Sequence, residues 1–457
     1  MLAATACGRG HSVAPPDLPA VGAQVSLFRF PRGGGPVQAY QPDSLRPSAW
    51  RSVQPVPALH RLLGVDLDER LIWVLDNQGQ LLALDLETRA VRKVAGKVSA
   101  AALGPDGSVF LVDSARRVQH LIRRQPVPFH DPLPIAPRMV YGAVNEQLIA
   151  LTSGSAPRLI TATADQDVHS EPLPAGEVGI TNWGDLVAVA SDSGVMLYET
   201  AGQRGRSTIS SVRNARRVGF SPSGHRLYVT LESPEIRVYD RFSLKQLKTI
   251  GLPGMPREFR VDASGRWLLV HPITGDSLWV VDLATNALSA TVPGTWAADL
   301  PLVAGAATLI VRSREDVLAY DLLQAPPKRI AELKGGGTDL WLAGSWVPRE
   351  RLPAAVAAAE SASVTQDSAL RVDSTATATD SIAIYLQVSR TQNPDWAELL
   401  SKQLKGDGFP ALVLAPKEEE DGYRVLVGPY DTREAAESTG KRLGRAYFVL
   451  KLPAKRP

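Results

Sequence analysis

The sequence predicts a mainly β protein: a β-propeller of seven four-stranded blades, with eight as the alternative, followed by a small α+β domain of ferredoxin-like order. Turn signals recur at intervals of about 40 residues, each between two apolar strands. That pattern stops at an Ala/Ser/Thr-rich segment, and a β-α-β-β-α-β pattern follows it. We therefore assign 21–350 to the propeller, 351–380 to a disordered linker and 381–453 to the second domain.

The composition excludes one broad class of function. The chain has 457 residues, and its 50 Lys+Arg and 47 Asp+Glu give a net charge of +3. Nucleic-acid-binding domains usually carry a clustered basic excess, whereas the arginine pairs here are scattered. We expect no nucleic-acid partner.

Residues 1–20 contain the only cysteine, Cys7, which follows small residues and precedes a Pro/Ala/Gly-rich stretch. This context resembles the end of a bacterial lipoprotein signal, in which the cysteine becomes the lipidated first residue. A signal also needs a basic and an apolar region, which would lie upstream of Met1. The sequence thus predicts an exported protein lipidated at Cys7, and the alternative is that Cys7 has no function.

The propeller prediction comes from seven turns at near-constant spacing. Each unit has one apolar strand before its turn, two strands after it and a last, more polar strand, and in several units the third strand ends in Asp-Leu. An acid after the third strand can accept hydrogen bonds from the following turn. The turns are at 66–69, 104–107, 144–146, 182–185, 221–224, 262–265 and 304–306.

Strands outside these seven units allow an eighth blade. Residues 25–30 and 37–40 precede the repeats, and 339–346 follow them. Pairing between strands from the two ends closes many propellers and removes free sheet edges. With this repeat pattern, the region resembles bacterial propellers of the YVTN and WD type.

No catalytic or metal-binding constellation stands out in the propeller sequence. None of the seven histidines follows another at metal-ligand spacing, and nucleophile-elbow and phosphate-loop motifs do not occur. We expect no enzyme activity, no metal and no cofactor. Six tryptophans could line a binding surface, although packing between blades is the more ordinary role; they are Trp183, Trp267, Trp279, Trp296, Trp341 and Trp346.

The C-terminal pattern predicts four strands and two helices. The strands are expected at 382–388, 409–414, 423–427 and 447–452, and the third is expected to end at Gly428-Pro429. One helix runs to Leu404, and the other begins near Asp431 with a capping-box pattern. In this arrangement both helices cover one sheet face and the other face is free.

This segment resembles the SPOR (sporulation-related repeat) domain. Its most specific motif appears as Tyr-Arg-Val-Leu-Val-Gly-Pro-Tyr over 423–430, and a weaker one as Tyr-Leu-Gln-Val-Ser-Arg-Thr over 385–391. The resemblance implies binding to septal peptidoglycan, on glycan strands stripped of their stem peptides. It also implies that Gln387, Arg390 and Arg424 contact the glycan. An aromatic residue usually precedes the third strand, but Gly422 stands there, so Tyr423 is assigned to the site, with Tyr385 and Tyr447 as alternatives.

Together these observations predict a periplasmic, lipid-anchored protein without catalytic activity. Its C-terminal domain would bind peptidoglycan at the division septum, and its propeller would bind an unknown protein or ligand. The alternative is a periplasmic propeller enzyme of hydrolase or lactonase type, carried to the wall by the same domain.

Overall fold

The computed structural model describes residues 24–67, 69–122, 124–144, 146–163, 166–200, 205–305, 307–346, 382–391, 394–406, 409–416, 423–433, 435–436, 439–440 and 448–453. Cys7, the predicted linker 351–380 and Tyr447 lie outside these residues. Within them no helix is long and apolar enough to cross a lipid bilayer.

Residues 24–346 form eight four-stranded antiparallel sheets, which are the blades of a propeller. Blades 1 to 7 each use four consecutive strands, in sequence order from one sheet edge to the other. The strands of the first three blades are β4 (Leu59–Asp66), β5 (Leu71–Asp76), β6 (Leu81–Asp85) and β7 (Val91–Ala95) in blade 1; β8 (Val98–Leu103), β9 (Val109–Asp113), β10 (Val118–Ile122) and β11 (Gln125–His130) in blade 2; and β12 (Met139–Ala143), β13 (Gln147–Leu151), β14 (Arg158–Thr163) and β15 (Gln166–Pro172) in blade 3. The next two blades contain β16 (Glu177–Ile180), β17 (Leu186–Ser191), β18 (Gly194–Glu199) and β19 (Arg206–Ile209) in blade 4, and β20 (Arg217–Phe220), β21 (Arg226–Thr230), β22 (Glu235–Asp240) and β23 (Gln246–Gly251) in blade 5. The last two contain β24 (Pro256–Val261), β25 (Trp267–Pro272), β26 (Ser277–Asp282) and β27 (Ala287–Pro293) in blade 6, and β28 (Leu302–Ala304), β29 (Thr308–Ser313), β30 (Asp316–Asp321) and β31 (Lys328–Leu333) in blade 7.

Blade 8 is shared between the two ends of the propeller sequence. It contains β32 (Leu340–Trp346) paired with β1 (Gln24–Phe30), followed by β2 (Gln38–Tyr40) and β3 (Pro47–Arg51). The seven complete units are therefore confirmed, but the blade number of seven is wrong and the alternative of eight is correct. The reason is that the flanking strands complete a full sheet instead of extending an existing blade.

Apolar clusters between neighbouring blades hold the ring together. One cluster joins blades 8 and 1 through Phe28 and Ile72, and another joins blades 7 and 8 through Leu300 and Trp341. Six further clusters join the remaining neighbours, so each blade packs on both of its faces. A closed ring of sheets leaves no sheet face to solvent, which explains the continuous apolar runs in the second and third strands.

The acids after the third strands cap turns, as the sequence predicts. Asp85 Oδ1 accepts hydrogen bonds from the backbone N–H groups of Glu87 and Thr88 at 2.9 and 2.8 Å. In blade 5, Asp240 accepts from Phe242 and Ser243 in the same way. Burial would raise the pKa of Asp240, but these donors outweigh it and hold the pKa below its ordinary value.

The second domain is a separate four-stranded sheet with order β34-β35-β33-β36. Its elements are β33 (Ile382–Thr391), α1 (Pro394–Gly406), β34 (Ala411–Leu414), β35 (Tyr423–Tyr430) and β36 (Phe448–Pro453). Residues 433, 435, 436, 439 and 440 are helical, and the rest of the predicted second helix lies outside the described residues. This strand order and helix position confirm the ferredoxin-like α+β arrangement.

The Gly428-Pro429 pair does not end the third strand of this domain, contrary to the sequence prediction. β35 continues to Tyr430, which pairs with Ile384. Gly428 has φ of 135°, and a Cβ there would come within 3.0 Å of the Ile384 carbonyl oxygen. Glycine thus lets the strand pass close to β33 at an irregularity in the pairing.

Candidate functional site

The two faces of the C-terminal sheet have different environments. On the first face, Leu386, Val425 and Val427 pack with Leu400 and Leu404 of α1. On the second face, a smaller apolar cluster contains Ala383, Tyr385 and Leu426, with Leu412, Leu414 and Leu450 packed against them. Alternation along β35 thus separates a helix-covered face from a second face, as the sequence pattern predicts.

Arg424 and Gln387 lie on the second face. Arg424 pairs in register with Leu414, and Gln387 pairs with Leu426, and both leucines belong to the second-face cluster. Arg424 is two residues from Leu426 on β35, so it lies diagonally across the β33/β35 ladder from Gln387. Both side chains are half-buried. A guanidinium donor and an amide that both donates and accepts therefore lie on the same face of the sheet, at neighbouring places in the ladder.

The register places the backbone of Arg390 directly opposite Arg424. Gln387 pairs with Leu426 and Ser389 with Val425, so the pairing shifts by one residue at Val388. Without this irregularity, a simple two-residue period from Gln387 would not bring residue 390 opposite residue 424. All three positions therefore lie at neighbouring places in the β33/β35 ladder.

The prediction for Tyr423 needs correction. Tyr423 packs against the cluster on the helix-covered face, together with Val425 and Val427. It is separated from Arg424 by the sheet itself, because consecutive residues of a strand point to opposite faces. Tyr385 does lie on the second face, but it is only 4% exposed. Neither the Tyr423 ring nor the Tyr385 ring is therefore placed to stack on a ligand that binds beside Arg424.

The second face is also less open than the sequence predicts. Tyr385 and Leu426 are buried, with Leu426 1% exposed, and they form an apolar centre beside the polar pair. The sequence prediction of a free face treated every residue opposite the helices as solvated. The site is therefore a polar border next to an apolar patch rather than a flat polar sheet.

In the propeller, a groove of about 630 Å³ crosses blades 4, 5 and 6 at the ends where their innermost strands begin. Arg216 forms ion pairs with Asp192 at 3.0 Å and with Glu232. Arg217 pairs with Glu177 at 3.1 Å and donates to the Arg257 carbonyl oxygen at 3.0 Å. Beside these charges, the apolar side chains of Met255 and Ile273 are 39% and 52% exposed. Exposed apolar groups rimmed by charges are typical of surfaces that bind a partner. This groove could not be predicted from the sequence, because its residues come together only across three blades.

The tryptophans serve mainly in packing. Trp183, Trp267, Trp279 and Trp341 are each less than a tenth exposed and lie in the blades. Trp296 packs against His271 with parallel rings 5.4 Å apart, and the Arg260 guanidinium lies 4.6 Å from its ring centre. In the described residues, no group of three or more His, Cys, Asp or Glu is arranged to hold a metal ion.

Comparison with protein families identifies the C-terminal domain. Residues 380–449 match the SPOR domain family. SPOR domains bind peptidoglycan, so this part of the chain is a peptidoglycan-binding domain that belongs to the cell envelope. The search of curated proteins finds no match to this chain.

Solved structures resemble the propeller at low identity. Citrobacter koseri AztD is 12% identical over 72% of this chain and 99% of AztD, with a TM-score of 0.49. The dihydro-heme d1 dehydrogenase NirN is 16% identical over 70% of this chain and 74% of NirN, with a TM-score of 0.48. The propeller domain of Myceliophteria thermophila Cps50 (Swd1) is 12% identical over 63% and 96%, with a TM-score of 0.39. Nothing about ligand or activity transfers from these structures to this chain.

Proposed function

We propose that this protein binds the denuded glycan strands of septal peptidoglycan through Gln387, Arg390 and Arg424. The observation that carries the proposal is the placement of these three positions at neighbouring places in the β33/β35 ladder of a SPOR domain. N-acetyl and hydroxyl groups of a glycan match a guanidinium and an amide as hydrogen-bonding partners. The SPOR domain thus directs the chain to division sites in the periplasm, where Cys7 is its lipid anchor.

Co-sedimentation of the full chain with purified sacculi tests this proposal. Amidase treatment removes stem peptides, so it should increase the amount of wild-type protein in the pellet. The double variant Gln387→Ala/Arg424→Ala should remain in the supernatant. Lys402→Ala is the matched control, because Lys402 is exposed on α1 and belongs to the same domain. The proposal is contradicted if the wild-type protein does not pellet with amidase-treated sacculi.

For the propeller, we propose a binding role without catalysis, located at the groove across blades 4 to 6. The groove supplies exposed apolar contacts from Met255 and Ile273 and charged groups from Arg216 and Arg217. Such a combination suits a protein segment that carries both apolar and charged side chains.

Envelope cross-linking tests the groove. The variant Met255→Asp/Ile273→Asp should lack the cross-linked products that the wild-type protein forms with a partner in the cell envelope. Leu323→Asp is the control, because Leu323 is 62% exposed in the turn between β30 and β31, at the opposite end of the propeller. Equal adduct yields from all three proteins would exclude the groove as the binding site.

A further inference from the structure

Both covalent connections to the propeller leave it at the same end of one strand pair. β1 and β32 are antiparallel and pair over seven positions, from Gln24↔Trp346 to Phe30↔Leu340. The N-terminal segment, with Cys7, joins the ring at Gln24. The segment leading to the SPOR domain leaves the ring at Trp346. The two connections therefore meet at directly opposed residues of blade 8.

This geometry determines how the ladder responds to tension. When two antiparallel strands are pulled apart from the same end, the hydrogen bonds break one pair at a time. When they are pulled from opposite ends, all the bonds carry the load together. A single backbone hydrogen bond contributes little net stability, so a ladder opened pair by pair resists weakly.

The other end of the ladder is held by a group of polar contacts. Arg29 Nε donates to Asp339 Oδ2 at 2.6 Å, and the backbone N–H of Arg32 donates to Asp339 Oδ1 at 3.0 Å. The Asp339 side chain is 11% exposed, so water competes little with these contacts. Trp341, which pairs with Arg29, is 1% exposed and donates its backbone N–H to Asp299. Opening that begins at Gln24 and Trp346 thus meets its strongest resistance at Arg29.

We propose a mechanical function for blade 8: tension between the two connections unzips β1 from β32, starting at Gln24/Trp346 and stopping at the Arg29–Asp339 ion pair. The physiological load rests on the proposed function, in which one connection leads to a lipid anchor and the other to a wall-bound domain. The joint itself depends only on strand geometry. Partial opening would expose the apolar residues that β1 and β32 bury, such as Leu27 and Phe28.

Single-molecule pulling tests the joint in the full chain. In the first protein, expressed in the cytosol so that the Cys7 thiol carries no lipid, handles are attached to Cys7 and to Ala358→Cys, which loads the ladder from one end. In the second, Cys7→Ser/Gly33→Cys/Ala358→Cys moves one handle to the other end of β1 and loads the same ladder from opposite ends. Residue 33 accepts this change, because a Cβ there meets no atom within 4 Å.

The first protein should show an initial rupture at a force several-fold lower than the second. That rupture should release at most roughly 35 Å of chain, the length of five extended residues from each strand, because opening stops before Arg29. Asp339→Asn should increase the length of chain released in this first step, because it removes the ion pair with Arg29 at which the opening stops. Equal rupture forces in the two geometries, or a first step as long as a whole blade, would overturn the proposal. Neither outcome depends on binding to sacculi, so the pulling experiment and the glycan-binding proposal can fail independently of each other.

Discussion

Arg29 on the first strand and Asp339 beside the last propeller strand lie 310 residues apart in sequence and form a 2.6 Å ion pair. Burial opposes the charge on Arg29, but hydrogen bonds from its guanidinium to Asp339 and Tyr40 outweigh this and raise its pKa. The pair joins the two ends of the propeller sequence at the blade that closes the ring. Ring closure thus has a polar component in addition to the β1/β32 ladder.

Asp339→Asn should lower the thermal midpoint of the full chain. The substitution removes a mostly buried carboxylate that serves two donors, and it leaves Arg29 without its counter-ion. We expect a loss of about 2–3 kcal/mol, since isolating one member of such a pair costs more than the pair contributes. Calorimetry measures the shift. Glu69→Gln is the control, because its pair with Arg124 is solvent-exposed and should matter little. Equal shifts in both variants would contradict a special role for Asp339.

A second buried pair beside the first should behave non-additively. The side chains of Arg312 and Asp299 are 11% and 8% exposed and lie 3.1 Å apart, and Asp299 also accepts the backbone N–H of Trp341. Asp299→Ala should cost about 3–5 kcal/mol, because it leaves a buried guanidinium without its carboxylate. Adding Arg312→Met should recover part of that loss. Denaturant unfolding of both single variants and the double variant measures the coupling, and additive losses would mean that the pair does not interact.

The stability of the propeller should depend on pH through His120. His120 is 8% exposed and stacks on Phe110, with ring centres 5.0 Å apart, and Phe129 contacts its edge. Burial lowers the pKa of His120, although the carboxylates of Glu146 and Asp106 oppose the shift. In the unfolded chain the imidazole titrates near its ordinary value of 6.5. Because the unfolded state then binds more protons, the free energy of unfolding should fall as pH drops below that value.

Comparison with His120→Gln isolates this effect, since the other titrating groups are the same in both proteins. The fall in unfolding free energy between about pH 7.5 and about pH 5.5 should be smaller in the variant than in the wild type. Parallel pH profiles would show that His120 does not take up a proton on unfolding.

The propeller could be predicted because blades 1 to 7 repeat similar local signals. Alternating apolar strands and turn acids such as Asp85 and Asp240 act within a few residues, so they are visible in sequence. Blade 8 was harder, because β1 and β32 pair across the whole propeller and no local pattern links them. β3 was missed, since Pro47 and the short segment after it look like a loop; a proline at the first position of an edge strand is tolerated.

The C-terminal site shows a sharper limit of sequence periodicity. The pattern placed Gln387 and Arg424 correctly on one face, because regular strands alternate. It could not place Arg390, because the pairing shifts at Val388 and only the partner strand reveals the shift. Tyr423 is predicted as a glycan-binding residue because it directly follows Gly422, where an aromatic residue is expected. Its alternation with Arg424 along the strand, however, already favours the opposite face of the sheet.

Folding and glycan binding should be separable on the second face of the SPOR sheet. Leu426 is 1% exposed at the centre of its cluster, so Leu426→Ala should cost the domain about 2–4 kcal/mol through lost burial and a cavity. Arg424 is two residues away and half-buried, so Arg424→Ala should cost much less stability while strongly weakening retention on amidase-treated sacculi. Thermal unfolding of the full chain and sacculus sedimentation measure the two effects side by side. If Arg424→Ala unfolds the domain as severely as Leu426→Ala does, the arginine is a structural residue and the binding site must lie elsewhere on the domain.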